Sequence, residues 1–265
     1  MTAAGEMRDG ARVLVTGASS GIGAATALEF ARSGATVALC ARREDRLRAV
    51  LDLCRAHSPD SCMVVADLAQ LDGIDEVARR VESGLGQVDV LVNNAGIPKR
   101  RRTQALTPDD VESVMAMNYF SPVRLTLSLL PGMLERGHGH VVNVSSMGAH
   151  MVSWGTAAYA ATKGALELFT EALYLELGSL GVRAHLVVPG TTRTEFSTDR
   201  EGNDPPLTDP ATATPPETVA AEIVRCLDDD RFLTFATSAD EATAASKAAD
   251  PNLFLANLRE VLANR

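Results

Sequence analysis

The sequence predicts an α/β fold, a doubly wound parallel sheet of about seven strands with helices on both faces. Two observations lead there. Short β-branched runs alternate with longer helical patterns over the first two thirds of the chain, and strands that are apolar almost throughout belong to parallel sheets covered on both faces. A glycine-rich turn also follows the first such run and opens a helix, which is how these sheets meet a ligand at the carboxyl ends of their strands.

The strand-like runs are 12–16, 36–41, 62–66, 88–93, 141–145 and 183–188, with helical stretches near 22–33, 43–57, 70–85, 108–135 and 157–180 between them. Thr107-Pro108-Asp109-Asp110 reads as a helix start: a capping hydroxyl, proline in the first turn, and acids at the positive end of the dipole. Residues 191–216 are rich in Thr, Asp and Pro and read as a long loop, the expected substrate lid. A helix from about 216 to 227, a short strand near 232–235 and a helical tail over 238–265, broken at Asp250-Pro251, complete the reading. No linker or repeat divides the chain, so 1–265 is expected to form a single domain.

Of 265 residues, 46% are hydrophobic and 22% charged, which suits a globular chain with a sizeable core. With 25 basic and 34 acidic side chains the formal net charge is −9, unfavourable for nucleic acid or an anionic membrane. No apolar run approaches a membrane span, and the first ten residues lack the apolar core of a secretory signal. Cys40, Cys54, Cys62 and Cys226 form no Cys-x-x-Cys, and the five histidines form no metal spacing. A cytoplasmic protein with reduced thiols and no metal is the expectation.

Suspicious residues fall just past the strand ends. After the first strand, Gly17, Ser19, Ser20, Gly21, Ile22 and Gly23 form G-x3-G-x-G; such a turn admits a pyrophosphate near the next helix's N-terminus. After the second strand stand Arg42 and Arg43, where an NAD site places an acid for the ribose hydroxyl and an NADP site a basic residue for the 2′-phosphate. NADP is therefore expected, with NAD the less favoured alternative. Asp67 and Leu68 follow the third strand as an Asx-type cap, and Asn94, Ala95 and Gly96 follow the fourth as a tight turn. Ser145 and Ser146 end the fifth. After the sixth, Pro189, Gly190, Thr192 and Thr194 fix a turn and offer hydroxyls.

Tyr159 and Lys163 are four residues apart in an Ala- and Leu-rich stretch without proline, which puts a phenol and an ammonium on one helix face. A free phenol titrates at about 10. A nearby positive charge lowers that value, and a phenol so tuned can move a proton to or from a substrate oxygen.

With motif order and spacing together, residues 10–195 resemble the short-chain dehydrogenase/reductase family in its compact single-domain form. The resemblance implies a Rossmann sheet, an NAD or NADP cofactor and a small-molecule carbonyl or alcohol substrate. It implies that Tyr159 is the acid–base and that Ser146 holds the substrate oxygen. Lys163 would lower the Tyr159 pKa and bind the nicotinamide ribose, while Asn118 bends its helix and places a water linking Lys163 to solvent. A homodimer or homotetramer is the implied assembly. Where many relatives carry a Gly-Gly stretch after the seventh strand, Phe235-Ala236-Thr237 here leads into the helical tail.

Weaker signals surround these. Lys99-Arg100-Arg101-Arg102 reads as a solvated loop, with an anionic substrate or carrier protein as the sharper alternative. Met147, His150, Met151, Val152 and Trp154 lie between Ser146 and Tyr159 and are expected to border an apolar substrate, or else to pack on a neighbouring helix. The expectation is an NADP-dependent oxidoreductase interconverting a carbonyl and a secondary alcohol. A catalytically silent nucleotide-binding protein of the same fold is the rival, and a sugar-nucleotide epimerase or dehydratase the third reading.

Overall fold

The computed structural model of the chain describes residues 10–198, 202–205 and 212–263. The expectations for 1–9, for 199–201 and 206–211 of the lid, and for 264–265 of the tail lie outside the described residues.

Strands β1 (Arg12–Thr16), β2 (Thr36–Ala41), β3 (Cys62–Val65), β4 (Val90–Asn93), β5 (Gly139–Val144), β6 (Val182–Val188) and β7 (Leu233–Phe235) form one sheet in the order β3-β2-β1-β4-β5-β6-β7. Every pairing is parallel. The chain winds outward from β1 to β3, returns to β4 beside β1, and then winds the other way. The reversal between β1 and β4 opens a crevice beyond their carboxyl ends, the ligand position of this architecture.

Period-2 alternation sorts the strand side chains into two cores. On one face, Val13, Val15, Val37, Leu39 and Val92 pack with Phe30 of α1 (Gly21–Arg32), Leu47 and Leu51 of α2 (Glu44–Arg55) and Ile223 of α8 (Pro216–Asp228). On the other, Leu14, Ala38, Leu91 and Val141 meet α3 (Ile74–Leu85), α5 (Ser121–Arg136) and α7 (Ala157–Leu177). Helix α3 buries Ile74, Val77, Ala78, Val81 and Leu85, a single stripe at helical spacing. Each large apolar side chain so buried stabilises the fold by about 1.5–3 kcal/mol.

Thr107 caps α4 (Pro108–Met115): its Oγ1 accepts from Asp110 N at 3.2 Å, and Asp110 Oδ2 accepts from Thr107 N at 3.2 Å. Such a reciprocal box contributes about 1 kcal/mol. The helical stretch expected over 108–135 is interrupted, however. Ala116–Phe120 forms a π-turn, the bend that the resemblance implies at Asn118.

The lid segment carries a short turn, Glu195–Ser197, and Thr192 bridges to Thr214. In the tail, α9 (Ser238–Ala249) and α10 (Pro251–Ala263) are separated at Asp250, since Pro251 lacks the N–H to continue a helix. Ala244 of α9 packs with Met147, Leu186 and Val188, so the tail backs the short helix α6 (Met147–His150) at the crevice.

Candidate active site

Thr16 staples the turns after β1 and β4 together. Its Oγ1 donates to Val92 O at 3.1 Å and accepts from Asn94 N and Ala95 N, each at 3.0 Å. Asn94 Nδ2 donates to Thr16 O at 2.9 Å. Gly17 sits under this staple with φ +68°, and a Cβ there would lie 2.8 Å from Asn94 Nδ2 and 2.9 Å from Ala95 Cα. Only glycine serves at that point. Helix α1 then begins with no acid in its first turn, which leaves its positive end suited to an anion.

A cleft of about 540 Å³ runs along these turns. Gly17, Ser19, Ser20, Gly21, Ile22, Arg42, Arg43, Leu68, Asn94, Ala95, Gly96, Ser146, Tyr159, Lys163, Pro189, Gly190, Thr192 and Thr194 all line it. Gly23, Asp67 and Asn118, expected at the site, are not among the lining residues. Gly23 is packed beneath the turn, where a Cβ would lie 2.5 Å from Gly17 O. Asp67 Oδ1 accepts from Ala69 N at 3.1 Å as an Asx cap, and its other oxygen lies 3.7 Å from Arg42 Nη1. Gly190 is pressed so closely against the carboxylate of Asp240 on α9 that any side chain there would collide with it.

Asn118 is fully buried in the π-turn. Its Oδ1 accepts from Ile97 N at 2.9 Å; its Nδ2 donates to Ile97 O at 3.0 Å and to Thr162 Oγ1 at 3.2 Å. The side chain is thereby taken up in holding the loop after β4 against α7.

Ser146 lies two residues past β5 and caps α6, its Oγ accepting from Gly148 N at 3.0 Å. The same hydroxyl hydrogen-bonds the phenol of Tyr159. Lys163, one turn along α7 from Tyr159, is 4% exposed and donates from Nζ to Val144 O at 2.8 Å. Burial lowers the Lys163 pKa to about 8, opposed by the charge of Glu167. Burial raises that of Tyr159 to about 12, opposed by the Ser146 hydrogen bond. The expected depression of the phenol by Lys163 is therefore not what the chain's own groups produce: loss of solvation outweighs the Ser146 hydrogen bond.

At the other end of the cleft, Arg43 spans the glycine turn. Nη2 donates to Ser20 Oγ at 2.8 Å and to Ser19 Oγ at 3.2 Å, and Nη1 to Glu195 Oε2 at 2.7 Å. Arg46 pairs with the other oxygen of Glu195. The two guanidiniums hold this carboxyl well below the usual range. Glu195 went unpredicted, because a lone acid in a polar loop carries no sequence signal. Phe196 was also unforeseen; its ring stands 5.5 Å from that of Tyr159.

The basic run is not a solvated loop. Lys99 and Arg101 both pair with Asp110, while Arg100 donates to the lid carbonyls of Thr198 at 2.7 Å and Asp204 at 3.0 Å. The Arg102 guanidinium lies 4.1 Å over the Trp154 ring. Met147, Met151 and Trp154 line the cleft as expected. His150 and Val152 are not lining residues: His150 turns toward Glu167 and Phe235, and Val152 lies at the surface.

A crevice at the strand-order reversal, a glycine turn and a Ser–Tyr–Lys cluster coincide with one more finding. The sequence model of short chain dehydrogenases matches residues 11–204. The chain belongs to the short-chain dehydrogenase/reductase family. A Drosophila melanogaster dehydrogenase/reductase SDR family protein 7-like is 37% identical over 226 residues, covering 81% of this chain and 69% of its own. A Mycobacterium tuberculosis fatty acyl-CoA reductase is 41% identical over 178 residues, covering 66% of this chain and 60% of its own. Among solved structures, a short-chain dehydrogenase from Streptomyces avermitilis is 32% identical and superposes with a TM-score of 0.80 over 95% of this chain and 97% of that one. One from Sphingobium yanoikuyae, in complex with NADPH, is 28% identical with a TM-score of 0.79 over 92% and 95%. Members of this family are oxidoreductases that use a nicotinamide dinucleotide. Among the described residues, no helix is long and apolar enough to cross a membrane.

Proposed function

We propose that this short-chain dehydrogenase/reductase is an NADP-dependent oxidoreductase that interconverts a carbonyl and a secondary alcohol on an apolar small molecule. The observation that carries the reading is the convergence of Ser146, Tyr159 and Lys163 from a strand end and a helix face onto one cleft.

The dinucleotide fits the cleft on the chain's own terms. The close-packed Gly17 turn lets a backbone approach, the acid-free start of α1 suits a pyrophosphate, and Asn94, Ala95, Gly96, Pro189, Gly190, Thr192 and Thr194 line the remaining length. Arg42 and Arg43 would meet a 2′-phosphate, and the NADPH bound by the Sphingobium relative supports that choice. When bound, the nicotinamide supplies or accepts a hydride at the substrate carbon.

The chain's residues do the rest. Tyr159, with its pKa raised, holds its proton at neutral pH and donates it to a carbonyl oxygen. Ser146 holds that oxygen. The Lys163 ammonium, fixed on Val144 O, presents a positive charge beneath the site. Positive charge brought into the cleft lowers the phenol's pKa and favours the reverse, oxidative direction. Since the Asn118 side chain is engaged with Ile97 and Thr162, any water it places for Lys163 is held by its backbone. Met147, Met151, Trp154 and Phe196 give the substrate end an apolar wall, in keeping with an acyl or other hydrophobic chain.

The test is a panel of apolar ketones, aldehydes, secondary alcohols and a long-chain acyl thioester, followed by NADPH and NADH absorbance. NADPH-dependent reduction of an apolar carbonyl supports the reading. Turnover with NADH alone would overturn the cofactor assignment, and no turnover on any member would favour a silent nucleotide-binding protein.

A further inference from the structure

Helix α7 meets the end of β5 through four side chains on one helix face. Tyr159 reaches the Ser146 hydroxyl, and Lys163 donates to Val144 O at 2.8 Å. Glu167 Oε1 accepts from Ser145 Oγ at 2.5 Å, and Thr170 Oγ1 accepts from Asn143 Nδ2 at 2.8 Å. Steps of four, four and three residues keep all of them on that face.

Of these, Glu167 takes no part in the proposed proton and hydride transfer. Its side chain is only 14% exposed, and a carboxylate is costly to bury unless it is partnered. Its partners are telling. Ser145 immediately precedes Ser146, and His150, whose Nε2 lies 3.2 Å from the same Oε1, ends the short helix that Ser146 caps. Glu167 thus holds the residue before Ser146 by a hydrogen bond and stands beside the end of the helix that Ser146 caps. Among the described residues the charge acting on Lys163 is that of Glu167. The other titratable groups nearby are Tyr159 on the same helix and His150 on α6, while β5 and the π-turn present the uncharged Val144 carbonyl and Asn118.

We propose that Glu167 is a positioning residue for the reacting centre: through Ser145 it fixes the Ser146 hydroxyl against the Tyr159 phenol, and its negative charge supports the Lys163 ammonium one turn away. The proposal rests on the reading of Ser146, Tyr159 and Lys163 as the reacting set.

The chain has three lysines, Lys99, Lys163 and Lys247, so ¹³C-lysine labelling gives three side-chain signals, and Lys163→Arg assigns one. In the cofactor-free protein the Lys163 signal should titrate near 8. In Glu167→Gln, which retains the acceptor for Ser145, the midpoint should fall by about 1 unit. An unmoved midpoint in that variant would overturn the electrostatic role. Ser145→Ala keeps the charge and removes the hydrogen bond: its kcat for carbonyl reduction should drop about 10-fold or more, with NADPH affinity and the Lys163 midpoint unchanged. An undiminished kcat there would overturn the positioning role. Neither outcome is confused with failure of the reacting set, which Tyr159→Phe tests separately.

Discussion

The ammonium of Lys163 donates at 2.8 Å to the carbonyl oxygen of Val144, the last residue of β5 and the one before the serine pair. A buried charge is thereby tied to the strand end instead of floating in the cleft, and burial brings its pKa to about 8. The ammonium is complete well below pH 8 and lost above it. NADPH affinity, measured by fluorescence titration, should therefore fall as pH rises through 8. Lys163→Met should bind more weakly at pH 7 and show a flatter profile.

Arg42 replaces the acid that an NAD site would carry after β2. Charge-assisted hydrogen bonds contribute about 1.5–3 kcal/mol, so Arg42→Asp should weaken NADPH by about 10-fold to 150-fold and reverse the cofactor preference in calorimetry. Equal affinity for the two dinucleotides in the wild type would remove the basis for this expectation.

Glu195 pairs with Arg43, the second guanidinium that would face the 2′-phosphate. The pair is about two-fifths exposed on each side, and exposed pairs are worth only about 0.2–1 kcal/mol. Glu195→Gln should therefore tighten NADPH by no more than about fivefold and leave NADH unaltered. Stopped-flow binding of both dinucleotides checks this.

Much of this architecture was legible because its signals are local. Strand runs, the glycine turn and Tyr159 with Lys163 each lie within a few residues. The π-turn did not show in composition, since one extra residue per turn changes no residue type; only the resemblance pointed to Asn118. The basic run was misread because the carbonyls that Arg100 holds, at Thr198 and Asp204, lie a hundred residues away in sequence. Glu167 had a signal in its spacing of four from Lys163. Glu195 had none.

Far from the cleft, His140 and His185 stack in the core with Nδ1 and Nε2 3.0 Å apart. Burial, first of all, lowers the pKa of both, that of His140 to about 3. Below about 6.5 the unfolded chain binds protons that the folded chain refuses. Stability should thus be full above pH 6.5 and decline as pH falls toward 3, by up to about 1.4 kcal/mol per pH unit for His140, with His185 acting in the same direction. Denaturant midpoints at pH 7, 6 and 5 test this, and His140→Gln should give a shallower slope.

The most direct measurement is NADPH oxidation with the best carbonyl of the panel, wild type beside Tyr159→Phe, with NADPH affinity determined in parallel. General acid catalysis of this kind contributes about 10²–10⁴-fold, so the variant should lose at least that much turnover while binding NADPH as the wild type does. Turnover in the variant comparable to wild type would contradict the assignment of Tyr159 as the proton donor, and with it the mechanism built on this cleft.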